Sequence, residues 1–216
     1  ILDLLGEEKF QKIQNCSVLL IGLGGGGGYA FEALVRSGFE NITIIDFDKF
    51  EESNLNRQIY ALQKTLGKSK CEVASFRAHE INSNVIIQII NERLTKDKIT
   101  KDFLSTFDFV IDACDDVMVK IALFEQCFFS KKKFISCMGT ANRTHPEFLE
   151  ITTLDQTYND PLARKIRNSF KNSSILKTKV VWSSEVPVKQ KKLGTICSVP
   201  MSAGSLLVSF IINNFL

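Results

Sequence analysis

Positive side chains set among amides and carboxylates are the chemistry this chain offers. Ser53-Asn-Leu-Asn-Arg-Gln58 follows an acidic pair, Asp46 and Asp48, and precedes Gly67-Lys-Ser-Lys-Cys-Glu-Val73. Arg57 puts a fixed cation beside Asn54 and Gln58, and Lys68 and Lys70 form a pair that opens a helix. Breaking a phosphoanhydride needs such cations, whereas hydride transfer has little use for them. Farther along, Asp112-Ala-Cys-Asp-Asp116 gathers three carboxylates. Carboxylates beside a triphosphate repel it unless a hard dication such as Mg2+ lies between them.

These groups need a scaffold that brings them to one place. The run Gly22-Leu-Gly-Gly-Gly-Gly-Gly28 lies between an apolar strand-like stretch, 17–21, and an amphipathic stretch, 29–37. It contains the G-x-G-x-x-G spacing of a dinucleotide-binding turn. Gly22, Gly24, Gly25 and Gly27 there permit a tight turn, close backbone approach to phosphate and an anion seat on the helix N-terminus. Asp46 ends the second apolar run about 20 residues later, where a carboxylate accepts hydrogen bonds from ribose hydroxyls. Asp46 and Asp48 also suit ordinary strand-end turns. Up to this point an NAD-dependent oxidoreductase fits equally well; Arg57 and the three carboxylates favour ATP.

Apolar runs at 17–21, 41–46, 85–90, 109–112 and 134–137 alternate with helical patterns at 4–14, 29–37, 68–81 and 117–129. This alternation predicts an α/β fold, a Rossmann-like doubly wound and mainly parallel sheet covered on both faces. Residues 1–139 form the nucleotide-binding half, and 140–216 a substrate-facing lobe and C-terminal helix of the same domain. In that second part, 147–154 and 179–184 read as strands and 160–170 as a helix. The polar stretches 172–179 and 188–193 read as mobile loops.

Composition narrows the alternatives. The chain has 216 residues, 44% apolar and 24% charged, with net charge +3, which implies no general polyanion surface. Lysine runs at 131–133 and 189–192 read as solvated loop faces. Six cysteines lie far apart with no C-x-x-C pair, against a zinc knuckle or thioredoxin-like redox pair. They read as buried thiols in a reducing compartment, hence a cytoplasmic protein. Cys114, among carboxylates, reads as packing with a raised pKa. His79 and His145 lack metal-spaced companions. The acidic, amphipathic start does not read as a secretory signal, and the apolar tail 206–216 is too short for a membrane span.

In order and spacing, residues 15 to 140 resemble the ThiF/MoeB/HesA family, bacterial relatives of ubiquitin-activating enzymes. The matching segments are Gly22-Leu-Gly-Gly-Gly-Gly27, Asp46-Phe-Asp48, Ser53-Asn-Leu-Asn-Arg-Gln58, Lys70 and Asp112-Ala-Cys-Asp-Asp116. The resemblance implies ATP bound through Asp46 on the ribose, Arg57 and Lys70 on the phosphates, and Asp115 on Mg2+, with Asn54 and Gln58 shaping the pocket. It implies adenylation of a carboxylate by a homodimer, often with an arginine upstream of the first strand; the first arginine here is Arg36.

Within that family, Asp160-Pro-Leu-Ala-Arg-Lys-Ile-Arg167 and Val180-Val-Trp-Ser-Ser-Glu185 are similar to the branch of tRNA threonylcarbamoyladenosine dehydratases. The branch carries D-P-L-A-x-K-[LI]-R and a strand ending F-S-x-E; here Trp182 replaces the phenylalanine. The likeness implies a tRNA partner, with Arg143, Arg164 and Arg167 as possible contacts; a solvated helix face is the other reading of the last two. The alternative acceptor is the C-terminal glycine of a ubiquitin-like sulfur carrier of the ThiS/MoaD type. Zinc-binding C-x-x-C pairs common in activators of such carriers are missing. Asp116 stands where the family usually has asparagine or serine, and it also suits a helix N-cap.

Overall fold

The computed structural model describes residues 1–215. Two short helices, α1 (Leu2–Leu5) and α2 (Glu7–Asn15), lead into β1 (Ser17–Ile21), α3 (Gly25–Arg36), β2 (Asn41–Ile45), α4 (Lys70–Ile81) and β3 (Ile86–Ile90). Next come α5 (Lys101–Ser105), β4 (Phe109–Asp112), α6 (Val117–Phe129) and β5 (Lys133–Cys137). The chain ends with β6 (Leu149–Thr153), α7 (Pro161–Ser169), β7 (Lys179–Ser183) and α8 (Ser198–Phe215). One seven-stranded sheet runs β3-β2-β1-β4-β5-β7-β6, parallel except where β6 pairs antiparallel with β7.

Register sets the position of the site. Ile21 at the end of β1 pairs with Ile45 of β2 on one side and Asp112 of β4 on the other. Asp112 in turn pairs with Ser136 of β5. The loops after β1, β2, β4 and β5 therefore leave the sheet in one row. The chain order reverses between β1 and β4, the switch point where open α/β sheets bind ligands.

Side chains of β1 alternate between two cores. Val18 and Leu20 join Phe31, Leu34, Leu207 and Ile211 on the face covered by α3 and α8. Leu19 and Ile21 join Leu123, Phe124, Ala163 and Ile166 on the face covered by α6 and α7. Burial on both faces accounts for apolar runs without polar alternation.

Four local features differ from the sequence expectation. The first helix is broken at Gly6, whose φ is 77°. Helix α3 begins at Gly25, because α8 lies against its glycines: a Cβ on Gly204 would fall 2.5 Å from Gly26 O. Residues 174–177 form a 3-10 turn capped by Ser173, not an irregular loop. The 140–216 stretch adds β7 and β6 to the same sheet.

Candidate active site

Beyond β1 the chain turns through Gly22, with φ 89°, where a Cβ would meet Ala113 O at 2.8 Å. A Cβ on Gly27 would lie 1.8 Å from Gly22 O. These two glycines are dictated by the backbone itself. Gly24, the N-cap of α3, has nothing within 4 Å of its Cβ position, and no side chain caps the helix. The first turn of α3 therefore offers N–H donors and the positive end of the helix dipole to an anion. Gly25 packs on Pro200, with Arg57 O only 3.6 Å from its Cβ position.

Asp46 pins this turn to the end of β2. Its Oδ2 accepts the Leu23 N–H at 2.6 Å and its Oδ1 the Asp48 N–H at 2.9 Å. Burial pushes the Asp46 carboxyl up, opposed by the Lys70 charge and those two N–H bonds. Lys70 Nζ lies 2.8 Å from Asp48 Oδ2; the lysine is buried and its partner about half exposed. Lys68 is exposed, so of the two lysines Lys70 is the one directed inward.

The loop between β2 and α4 holds the amide residues. Asn54 is buried and accepts the Glu51 N–H at 3.1 Å, fixing the turn. Arg57 donates from Nη1 to Ser53 O at 2.6 Å and to Asn56 Oδ1 at 3.0 Å. Among the described residues no carboxylate pairs with it. Gln58 is 7% exposed, and its Oε1 is the buried side-chain oxygen left without a hydrogen-bond partner among them. An orphaned acceptor and an unpaired guanidinium beside an uncapped helix suit a bound polar ligand.

The carboxylate that ends β4 and the two that follow it have three different settings. Asp112 is fully buried, its Oδ2 accepting from Lys120 Nζ at 2.8 Å and Ser136 Oγ at 2.6 Å. Asp116 is the N-cap of α6, accepting the N–H groups of Met118 at 2.9 Å and Val119 at 3.3 Å. It also pairs with Arg93, and those backbone bonds help lower its pKa. Asp115 is exposed and bonds to no described residue. Cys114 has a raised thiol pKa, through burial first and the Asp112 charge second, so the field alone understates the effect.

The sequence reading missed Lys120. Its Nζ also donates to Ser136 Oγ at 3.1 Å and to Cys137 O at 2.7 Å, so it ties β4 to β5 directly beneath the loop bearing Asp115. A lysine inside the apolar stretch Val117-Met-Val-Lys-Ile-Ala-Leu-Phe124 was the available signal, since a buried ammonium requires a partner.

In the second part, Asp160 caps α7 through Oδ1, accepting from Leu162 and Ala163 N–H, and its Oδ2 accepts the Gly139 N–H at 2.9 Å. Arg143 corrects the sequence expectation of a tRNA contact. It is 2% exposed, and its guanidinium donates to Gly139 O, Glu185 O and Asn159 O, with Asp160 at 3.8 Å. Arg167 is half-buried and donates to Thr157 Oγ1, while Arg164 is exposed. Glu185 accepts the N–H groups of Thr144 and His145 at 3.0 Å each.

Known proteins resemble this chain in sequence and fold. A Bacillus subtilis tRNA threonylcarbamoyladenosine dehydratase is 34% identical over 185 residues, 85% of this chain and 73% of that protein. Its Escherichia coli counterpart is 32% identical over 208 residues, 93% of this chain and 78% of that protein. The crystal structure of Escherichia coli tRNA N6-threonylcarbamoyladenosine dehydratase, TcdA, in complex with ATP superposes with a TM-score of 0.93 at 31% identity. That match covers 99% of this chain and 91% of TcdA. The ThiF family model matches residues 1–212. The chain belongs to the ThiF family.

Proposed function

We propose that this chain uses ATP to adenylate the carboxylate of a threonylcarbamoyl group on a tRNA adenosine, then lets the activated acyl group cyclise. A carboxylate oxygen attacks the α-phosphorus, pyrophosphate leaves, and the acyl-adenylate is attacked from within the same side chain, expelling AMP. The net change in the nucleoside is loss of one water. One observation carries this reading. The uncapped start of α3, and Arg57 and Asp115, which have no charged partner among the described residues, follow the adjacent strands β1, β2 and β4, whose ends are in register. The relatives' activity and the D-P-L-A segment at the same sheet edge support the choice of acceptor.

Two anions must approach, so the catalytic demand is for positive charge held in place. Arg57 and Lys70 meet it at the phosphates, Asp46 faces the ribose, and the glycine turn (Gly22, Gly24, Gly25, Gly27) seats the chain of phosphates. Asp48 steers Lys70, Asn54 holds the loop, and Gln58 offers its unpaired amide oxygen. The carboxylate is ionised near neutral pH, so no general base is needed for its attack. No group of three or more His, Cys, Asp or Glu side chains converges among the described residues. A divalent ion therefore fits as a phosphate-bound Mg2+ with Asp115 as its protein ligand. When bound, it neutralises charge on the leaving pyrophosphate.

We further assign the 140–216 stretch as the substrate-facing part, the assembly as a homodimer and the compartment as cytoplasmic. Among the described residues no helix is long and apolar enough to cross a membrane. The test is AMP release from ATP, stimulated by tRNA bearing the threonylcarbamoyl adenosine. Stimulation by a small protein ending in Gly-Gly instead would move the assignment to a carrier activator. Thermal stabilisation by NAD but not by ATP with Mg2+ would overturn adenylation altogether.

A further inference from the structure

Residues 161–184 hold six basic side chains and no acidic one, in a chain whose net charge is only +3. The remainder of the protein is therefore net negative. Helix α7 carries much of this charge away from the catalytic edge. It starts where Asp160 binds the Gly139 N–H and runs to Phe170, which stacks on Phe124 at 6.3 Å. Phe124 meets Phe134 at 5.1 Å, and Phe134 lines a cavity of about 260 Å3 whose rim includes Phe128, Lys131, Lys132 and Lys179.

Arg164, Lys165, Lys171, Lys131 and Lys179 are exposed, and none has an ion-pair partner among the described residues. Beside the cavity Phe128 is 40% and Phe129 70% exposed. The C-terminus of α6 accounts for lysines at 131 and 132 through its dipole. It does not account for exposed Lys165 on α7 and Lys171 just after it, for Lys179 on the cavity rim, or for two adjacent exposed aromatic rings.

We propose that this strip, about 13 Å along α7 and then the cavity, binds the phosphodiester backbone of the RNA substrate outside the reacting nucleotide. It rests on the assignment of tRNA as acceptor. Exposed, unpaired cations along α7 and around the cavity can neutralise phosphates, and the Phe128 and Phe129 rings offer faces to unpaired bases. An acidic protein would match the charge but not a strip leading away from the site that holds the modified base.

The test compares Lys165→Glu/Lys171→Glu and Lys131→Glu/Lys179→Glu with Lys9→Glu/Lys12→Glu, which makes the same charge change on α2. Affinity for tRNA is measured against salt concentration, and ATP affinity in parallel. The strip variants should bind tRNA at least about tenfold more weakly, with the log–log salt slope reduced by about 1.5 for two lost phosphate contacts. Their ATP affinity should be unchanged, and the α2 variant should lose less than about threefold. Equal losses in all three variants, or none in any, overturn the strip while leaving the acceptor assignment standing. A wild-type chain that neither binds tRNA nor turns over in its presence overturns that assignment, and the strip with it.

Discussion

Lys120 Nζ and Asp112 Oδ2 lie 2.8 Å apart with neither side chain exposed, so the loop bearing Asp115 rests on a buried ion pair. Removing one member leaves the other charged and unpaired, which costs about 3–5 kcal/mol. Lys120→Met is expected to lose that much in denaturant unfolding. Lys120→Met/Asp112→Asn should regain more than half of it, because no buried charge is stranded. A double variant no better than the single would show that packing, not charge, makes Lys120 matter.

Asp115→Ala should cut AMP formation by about 100-fold or more, with unfolding free energy within about 0.5 kcal/mol of the parent. An exposed carboxylate with no partner among the described residues contributes little to the fold. Steady-state AMP release and a thermal melt on the same sample check both halves. Normal turnover would remove Asp115 from the site.

Arg57→Ala should lower kcat about 100-fold while changing ATP affinity by less than about tenfold. Its guanidinium is held by Ser53 O and Asn56 Oδ1, so truncation strands no carboxylate. Single-turnover kinetics beside equilibrium nucleotide binding separate the two effects. Weaker binding at an unchanged chemical rate would make Arg57 an anchor only.

The glycines divide into two kinds. Gly27→Ala puts a Cβ 1.8 Å from Gly22 O, so the backbone must move, at a cost of about 1–3 kcal/mol or more. Gly24→Ala meets nothing within 4 Å and should melt like the parent, yet bind ATP more weakly where the phosphates approach. Equal melting temperatures for both variants would contradict the packing argument.

Glu185 gives a pH signature. Burial opposes its ionisation, but N–H donors from Thr144 and His145 outweigh that and hold its pKa below the ordinary 4.5. The folded value is depressed, so the stabilisation is complete above pH 4.5 and fades as pH falls toward the folded pKa. Glu185→Gln should flatten that part of the stability–pH curve. An unchanged acid limb would mean the carboxylate is not anchored as described.

The sequence revealed what depends on neighbours along the chain. Short apolar runs alternating with helical patterns marked the strands: β1, β2 and β4 are buried on both faces, while the edge strand β3 was legible from its run of isoleucines although much of it is exposed. Asp46 stood out by its spacing from the glycine turn, and Arg57 and Asp115 by the short motifs 53–58 and 112–116 that hold them. The Arg143 knot was invisible, because Gly139 O, Asn159 O and Glu185 O meet only once β5, α7 and β7 are packed together. Lys120 was hidden for the same reason, its partners coming from three points on two strands. The helical state of Gly25 through Gly28 contradicts their propensity, and close packing explains it: Gly22 O at Gly27, Ile59 at Gly28, and α8 at Gly25 and Gly26.

The most direct measurement is mass spectrometry of nucleosides from tRNA bearing the threonylcarbamoyl adenosine, after incubation with the protein, ATP and Mg2+. The account predicts that this nucleoside loses the mass of one water, with one AMP and one pyrophosphate released per event, and nothing without ATP. An unaltered nucleoside, while the same preparation forms an acyl-adenylate on a protein ending in Gly-Gly, would contradict it.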